Sequence, residues 1–352
     1  MHPKTADLRI RAIQPLAPPA ALEEAFPLDD AGAERIARSR GEIAGVLAGR
    51  DDRLFLVVGP CSIHDPDAAL EYARNLKAAA ERHVGELVVA LRVYFEKPRT
   101  VVGWKGLIND PDLDGTYRID RGLRLARKLM VEIVGMGLPV ATEFLDTTLG
   151  QYYADLVSWA AIGARTVESQ IHRELASGLS MPVGFKNRTD GDVQVAVDAI
   201  RSARHPHFFP SWTREGTPAV LGTSGNDQTH LVLRGGTRGP NYGAAEIQAA
   251  AALLRRSELP EQLMVDCNHA NSGKDPERQP QVAAELARQL ADGERAIAAV
   301  MLESNLVGGA QNYRAHPLVY GQSVTDGCLG WEKTVPVLAE LAEAVRRRRR
   351  RN

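Results

Sequence analysis

The chain has few cysteines, no long apolar run and almost no low-complexity sequence. Three cysteines among 352 residues, Cys61, Cys267 and Cys328, are too few and too scattered for a disulfide framework or a zinc knuckle, which suits a reducing compartment. Residues 1–20 contain charges and prolines but no apolar segment typical of a secretion signal, and no window approaches the ~20 consecutive apolar residues of a membrane span. We therefore expect a cytoplasmic protein without a membrane partner.

The charge is nearly balanced, with 43 lysines and arginines against 44 acidic residues. Six of the basic residues are consecutive arginines at positions 346–351, and without them the balance is 37 basic to 44 acidic residues. A nucleic-acid enzyme usually carries its basic residues as a patch on the folded body. Here the excess lies at residues 346–352, which we interpret as a frayed, solvated arginine-rich tail. We expect no nucleic-acid partner.

Eight short apolar runs recur along the chain, and most are separated by longer segments of helical periodicity. Alternating strands and helices indicate parallel pairing with crossovers, and near-continuous apolar strands indicate that both sheet faces are covered. No repeat of ~20 to 50 residues suggests a solenoid or propeller. The pattern predicts an α/β fold, a (β/α)8 TIM barrel over residues 51–345. The runs lie at 54–58, 87–93, 139–143, 155–161, 182–186, 230–233, 263–266 and 296–302, and the helical segments at 67–83, 117–136, 168–178, 192–203, 244–256 and 277–290.

Two segments do not belong to the barrel pattern. Residues 1–50 form a proline-punctuated arm, with a possible strand at 7–13 and a helix near 31–48. Residues 205–228 are rich in Pro, Gly and Thr and are longer than an ordinary connection, so we interpret them as an inserted hairpin or functional loop before the sixth barrel strand.

The predicted strands end in unusually polar residues. In this fold the carboxyl ends of the strands converge on one mouth, where catalytic groups lie. Cations gathered there would repel one another by several kcal/mol in a low-dielectric funnel unless an anion compensates them. We therefore expect a multiply anionic, phosphorylated ligand, since arginine suits phosphate and carboxylate. Six cations follow strands in this way: Arg92, Lys97, Arg99, Arg165, Lys186 and Arg234.

One thiol, one imidazole and two carboxylates also lie at or beyond the predicted mouth, at Cys61, His269, Glu303 and Asp326. This mixed set of soft and hard donors fits manganese, iron, cobalt or zinc. Their spacing alone does not reveal a metal site, because a lone cysteine or histidine is more often structural. Cys328 follows Asp326 by two residues, and its oxidation with Cys61 would compete with metal binding.

Six blocks of sequence, in order along the chain, carry a family resemblance. They read GPCSIHD at 59–65, RVYFEKPRT at 92–100, GART at 163–166, ESQ at 168–170, GFKN at 184–187 and LRGG at 233–236. These blocks resemble class I 3-deoxy-D-arabino-heptulosonate 7-phosphate (DAHP) synthase, in its amino-acid-regulated subgroup. The likeness runs from about residue 7 to residue 345.

The resemblance implies the condensation of phosphoenolpyruvate with erythrose 4-phosphate, the first step of the shikimate pathway and of aromatic amino acid biosynthesis. It implies one divalent metal ion, with manganese expected first and iron, cobalt or zinc as alternatives. The catalytic groups carry over to Lys97, Glu143 and His269, with Glu143 near the reacting carbon and its water. The phosphoenolpyruvate site carries over to Arg92, Lys97, Arg165, Lys186 and Arg234, the erythrose phosphate site to Arg99 and Thr100, and the metal ligands to Cys61, His269, Glu303 and Asp326.

The resemblance also implies feedback inhibition by an aromatic amino acid and assembly into a homodimer or homotetramer. We expect the effector site to lie away from the mouth, between the N-terminal arm and the 205–228 insertion, because neither segment supplies a proposed catalytic group. The residues expected there are Asp7, Ile10, Gly150, Ser180, Phe209 and Ser211.

Four positions depart from the family pattern. Arg188 stands where the family usually has glycine, Asn268 replaces the usual serine, Asn305 replaces a common histidine, and Gly150 stands where regulated relatives commonly have proline.

The relatives that use arabinose 5-phosphate carry a longer Lys-Ala-Asn-Arg-Ser block where residues 97–100 of this chain read KPRT, so that activity is disfavoured. A secondary-metabolism paralogue that uses a modified tetrose phosphate and a catalytically silent regulatory subunit stay open as alternatives.

Overall fold

The computed structural model describes residues 3–351, and its centre is a closed barrel of eight parallel strands. The strands are β1 (Leu54–Gly59), β2 (Leu87–Arg92), β3 (Val140–Glu143), β4 (Trp159–Ile162), β5 (Val183–Lys186), β6 (Phe208–Trp212), β7 (Pro218–Gly222), β8 (Thr229–Leu233), β9 (Leu263–Asp266), β10 (Ile297–Asn305), β11 (Val307–Ala310), β12 (Gln322–Ser323) and β13 (Leu329–Gly330). Neighbouring barrel strands follow the order β1-β2-β3-β4-β5-β8-β9-β10, and β10 pairs with β1 to close the barrel.

Helices surround the barrel and cover its outer face. They are α1 (Pro19–Ala25), α2 (Asp30–Leu47), α3 (Pro66–Ala80), α4 (Ile119–Gly135), α5 (Gln170–Gly178), α6 (Gln194–Ala203), α7 (Ala244–Arg256), α8 (Gln279–Ala291) and α9 (Trp331–Arg351). No helix in the described part of the chain combines the length and the apolar character needed to cross a bilayer.

The barrel interior is a packed core, because alternate residues of each strand point inward. Phe55, Trp159 and Met301 lie in this interior cluster, and Ile43 and Val46 of α2 join it. The other residues of the strands pack outward against the helices. The helix α2, in the segment before β1, therefore contributes to the barrel core.

The prediction of a TIM barrel is confirmed, and the segment at 205–228 forms the antiparallel hairpin β6–β7 immediately before the sixth barrel strand. The predicted helix near 31–48 is α2. The fourth apolar run, predicted at 155–161, begins too early, because the strand β4 starts only at Trp159. The preceding Ala154–Leu156 forms a 3-10 turn in which Asp155 pairs with the buried Arg127.

Two expectations about the chain ends are wrong. Residues 3–18 form neither helix nor strand, so the strand expected at 7–13 is absent from the described arm. The arginine run is not frayed, because α9 continues through Arg351. Arg348 is buried and donates to the carbonyl oxygen of Asp52, and Arg349 pairs with the Asp52 carboxylate. Asp52, two residues before β1, therefore holds both arginines in place through its carbonyl oxygen and its carboxylate.

Candidate active site

The polar strand ends meet in one cavity of about 530 Å³ at the carboxyl end of the barrel. All six predicted cations line it, together with Thr100, Glu143, His269 and Asp326. Sequence reasoning missed several further lining residues in the loops after β5, β8 and β9, because nothing in a single sequence distinguishes them from other polar loop residues. These are Thr189, Thr237 and Lys274.

A buried ion pair joins Arg92 at the end of β2 to Glu303 on β10. The Arg92 Nη2 atom donates to Glu303 Oε1 at 2.8 Å, and the two side chains are 1 % and 0 % exposed. The guanidinium also lies over the Tyr94 ring, 3.4 Å from its centroid. Burial alone would raise the pKa of Glu303, but Arg92, with His269 and Lys97, lowers it to about 2. Glu303 is therefore a carboxylate at neutral pH.

A second buried carboxylate, Asp266 at the end of β9, holds Lys186 and His269. Its Oδ2 atom accepts a hydrogen bond from Lys186 Nζ at 2.9 Å and lies 2.8 Å from His269 Nδ1. Although burial opposes it, the nearby His269 and Lys186 keep the pKa of Asp266 well below its usual range. His269 has a left-handed backbone, with φ of 54°, a strained conformation that is concentrated at functional sites. The sequence signal for Asp266 was its place at the end of a predicted strand.

Three of the four predicted metal ligands lie together. Donor atoms of Cys61, Glu303 and Asp326 are all within 4.8 Å of one another, and Cys61 Sγ is 3.6 Å from Asp326 Oδ2. His269 is outside this group but borders it, with its Nε2 atom 3.7 Å from Glu303 Oε1. A sulfur and two carboxylates with an adjacent imidazole nitrogen are a donor set that suits a divalent transition metal. We name Cys61, Glu303 and Asp326 the donor group.

Lys97 and Cys328 contact Cys61. Lys97 Nζ lies 2.9 Å from Cys61 Sγ, and Cys328 Sγ accepts from the Cys61 backbone nitrogen at 3.3 Å. Burial, together with Glu303, raises the pKa of the Cys61 thiol despite the opposing charge of Lys97. A metal ion that binds this sulfur must therefore displace a proton. Both cysteines are free thiols.

Backbone geometry places Cys61 and Glu143 at the mouth. β1 ends at Gly59, where a Cβ atom would come within 2.8 Å of the Arg92 carbonyl oxygen. The chain then turns through Cys61, and the Asp65 side chain caps the amino end of α3. Glu143 at the end of β3 lies against Gly163, where a Cβ would meet Glu143 Oε1 at 2.2 Å. At Gly59 the obstacle is backbone, so glycine is required, whereas a side chain at position 163 would displace the Glu143 carboxylate.

The loop after β2 is anchored through Glu96. The Oε2 atom of Glu96 accepts from Tyr153 OH at 3.4 Å and lies 3.5 Å from the backbone nitrogen of Asp146. The next residue, Lys97, is hydrogen-bonded through its backbone to Lys105. Arg99 Nε donates to the Trp104 carbonyl oxygen at 2.7 Å. Burial, with the Asp146 carboxylate, raises the pKa of Glu96 to about 7.

Arg188 does not add a cation to the cavity. Its guanidinium pairs with Glu168 at 2.9 Å and with Asp190 at 2.5 Å, and these hydrogen bonds raise its pKa. Because Glu168 follows β4 and Arg188 follows β5, the first of these pairs joins the two loops. The departure from glycine is therefore accommodated outside the cavity.

The six residues expected at an effector site lie on the arm, the hairpin and the segments between them. Phe209 is buried, and Ser211 shares its face of β6 because the two are separated by one residue. Gly150 is buried against the Phe144 ring, and Ser180 is exposed just after α5. Asp7 and Ile10 are exposed, with one hydrogen bond between their backbones.

The hairpin contacts elements on both sides of it. Thr223 after β7 is hydrogen-bonded to Ser177 of α5 through their hydroxyls at 2.7 Å. The Arg214 carbonyl oxygen at the hairpin turn accepts from the backbone nitrogen of Ala20 in α1. The hairpin therefore connects the arm to the barrel helices.

Comparison with known proteins gives one family. A model described as DAHP synthetase I family matches residues 27–339. The chain is 53 % identical to the Phe-sensitive phospho-2-dehydro-3-deoxyheptonate aldolase of Escherichia coli K12, covering 99 % of this chain and 100 % of the relative. It is 54 % identical to a Trp-sensitive form from Enterobacter agglomerans, covering 98 % and 99 %. A solved phospho-2-dehydro-3-deoxyheptonate aldolase from Francisella tularensis superposes with a TM-score of 0.95 at 51 % identity, covering 96 % of this chain and 99 % of that one.

The raised pKa of Glu96 predicts a pH-dependent stability. The folded protein holds the Glu96 proton up to a pH of about 7, whereas the unfolded chain releases it near 4.5, so this group stabilises the fold at low pH and loses that contribution as pH rises through 7. The parent should therefore lose stability between pH 5 and pH 8, whereas Glu96→Gln, which cannot ionise at this position, should not. We expect the free energy of unfolding of the variant minus that of the parent to increase by up to about 3 kcal/mol from pH 5 to pH 8. Denaturant unfolding at both pH values measures this, with the exposed Glu81→Gln as control. Parallel pH profiles for Glu96→Gln and the parent would contradict it.

Proposed function

The chain belongs to the DAHP synthetase I family, and we propose that it condenses phosphoenolpyruvate with erythrose 4-phosphate to give DAHP and inorganic phosphate. The observation that carries the proposal is the convergence of six cations on one cavity beside the donor group. Two phosphorylated substrates can be held side by side only where cations offset their mutual repulsion.

Phosphoenolpyruvate is bound by Arg92, Lys97, Arg165, Lys186 and Arg234 in this proposal. Two of these cations are already neutralised, since Arg92 pairs with Glu303 and Lys186 pairs with Asp266. Arg165 and Arg234 form no ion pair with a carboxylate within residues 3–351, and their side chains donate hydrogen bonds to the carbonyl oxygens of Pro98 and Gly235. Because no ion pair neutralises their charge, these two arginines supply much of the attraction for the substrate anion.

Erythrose 4-phosphate is bound at Arg99 and Thr100, which are exposed at the outer side of the same cavity. The hydrogen bond from Arg99 to the Trp104 carbonyl oxygen fixes one edge of the guanidinium and leaves the other nitrogens for phosphate.

A divalent ion would be held by Cys61, His269, Glu303 and Asp326. The mixed donor chemistry fits manganese, iron, cobalt or zinc, and the family resemblance favours manganese among them. When bound, such an ion supplies Lewis-acid polarisation of the aldehyde oxygen of the sugar phosphate. His269 is already oriented for this role, because Asp266 lies against its Nδ1 atom and leaves Nε2 facing Glu303.

The reaction forms one carbon–carbon bond and releases phosphate. The methylene carbon of phosphoenolpyruvate attacks the aldehyde carbon, a water adds to the carbon that bears phosphate, and the C–O bond to phosphate then breaks. Glu143 lies at the cavity wall where it can orient that water. Lys97 is placed to give a proton to the developing alkoxide or to the departing phosphate.

An aromatic amino acid is the proposed effector, and a homodimer or homotetramer the proposed assembly. The Phe- and Trp-sensitive relatives support the first point. The proposed site comprises Asp7, Ile10, Gly150, Ser180, Phe209 and Ser211.

A modified tetrose phosphate as the sugar substrate is the second candidate, but the pairing of Arg188 with two carboxylates gives it no support.

Phosphate release tests the function and the donor group together. We expect stoichiometric phosphate only when both substrates and a divalent ion are present. Cys61→Ala should lose metal content and turnover together, because it removes the sulfur of the donor group. Cys267→Ala, which removes a buried thiol of the outer core, should keep both. Stoichiometric metal and a near-normal rate in Cys61→Ala would contradict the site.

Steady-state kinetics separates the two substrate sites. Arg165→Ala should raise the KM for phosphoenolpyruvate about 10- to 100-fold, as expected for loss of a charge-assisted hydrogen bond, with less than about threefold effect on the KM for erythrose 4-phosphate. Arg99→Ala should show the reverse. Equal effects of either variant on both substrates would contradict the assignment.

Deletion of residues 1–12 tests the effector proposal. A ligand inhibits through its different affinity for two states, and a coupling of ~1 to 3 kcal/mol corresponds to about 5- to 150-fold inhibition. The deletion removes Asp7 and Ile10 but no proposed catalytic group, so turnover should persist while inhibition by Phe, Tyr or Trp is lost. Indifference of the full-length enzyme to millimolar Phe, Tyr and Trp would contradict the proposal.

A further inference from the structure

Asn268 forms a buried hydrogen bond to Glu303 of the donor group. The residue lies between Asp266 and His269 in the chain and is 2 % exposed. Its Nδ2 atom donates to Glu303 Oε2 at 2.6 Å, while its Oδ1 atom accepts from Ser272 Oγ at 3.0 Å. Its backbone nitrogen donates to Asp266 Oδ1 at 3.0 Å. Because the Ser272 hydroxyl occupies the amide oxygen, the amide nitrogen is directed at the carboxylate.

The two oxygens of Glu303 therefore have different partners. Oε1 accepts from Arg92 and faces His269 Nε2 at 3.7 Å, whereas Oε2 is occupied by Asn268. The backbone of Glu303 is also fixed, since the buried side-chain amide of Gln279 donates to its carbonyl oxygen at 2.8 Å and accepts from its nitrogen at 2.9 Å. A carboxylate held on both oxygens and at its backbone has little freedom to rotate.

We propose that Asn268 is a positioning residue that keeps Glu303 as a one-oxygen metal ligand and thereby sets the metal affinity of the donor group. A hydrogen bond to Oε2 withdraws that oxygen from bidentate coordination and leaves Oε1 facing His269. The inference rests on the proposed function only in requiring that the donor group binds a divalent ion.

The test measures the Kd for Mn²⁺ by competition with a chelator, using metal-stripped full-length protein. Asn268→Ala removes the donor to Oε2, and Asn268→Ser replaces the amide by a neutral hydroxyl whose side chain is one bond shorter. Asn226→Ala is the matched control, because Asn226 is also a buried amide and donates to three backbone carbonyl oxygens away from the cavity. Thermal unfolding of each metal-free variant reports the loss of fold stability separately.

We expect the Kd for Mn²⁺ to rise about 10- to 100-fold in Asn268→Ala, in the range found when partners of metal ligands are removed, and to rise in the same direction in Asn268→Ser, because both variants lose the amide donor without a change of charge. Asn226→Ala should lower the unfolding temperature but leave the Kd within about twofold of the parent.

If the parent binds Mn²⁺ and both Asn268 variants bind it with a Kd within about twofold of the parent, the inference is overturned and the proposed function stands. If the parent binds no divalent ion, the proposed metal site and the inference both fail. If Asn268→Ala does not fold, the Kd of Asn268→Ser decides.

Discussion

Charge compensation at the carboxyl end of the barrel is the constraint on which the rest of the site depends. Six cations converge there, and two buried carboxylates, Glu303 and Asp266, neutralise Arg92 and Lys186. Removing either carboxylate would leave a buried positive charge without a partner, which is strongly destabilising. The paired cations are thus held rigidly as part of the fold, and the uncompensated charge of Arg165 and Arg234 is left for an anion.

The same carboxylates connect the anion site to the donor group. Glu303 pairs with Arg92 through one oxygen and lies within the group formed with Cys61 and Asp326. Asp266 links Lys186 to His269. A change in the occupancy of one site therefore alters the electrostatics of the other, which is suited to a reaction that brings two anionic substrates together beside a metal ion.

Much of this arrangement could be predicted from the sequence, because strand periodicity and strand-end polarity are local signals. Alternating apolar runs gave the barrel, and a cation after a strand in this fold must lie at the mouth, as Lys186 and Arg234 do. Asp266 and Asn268 were harder to recognise, since their roles come from contacts with Lys186 and Glu303, which are distant in sequence. The arginine run was misread because the acidic partner Asp52 lies almost 300 residues away. The small strands β11–β13 have no such signal, because β11 reads VGGA with two glycines and β12 and β13 have two residues each.

Anomalous diffraction from crystals that contain Mn²⁺ and phosphoenolpyruvate tests the central claim most directly. The account predicts one manganese peak at about 2.0–2.4 Å from donor atoms of Cys61, His269, Glu303 and Asp326, with the substrate anion in contact with Arg165 and Arg234. Manganese bound elsewhere, or phosphoenolpyruvate seated away from these two arginines, would contradict it.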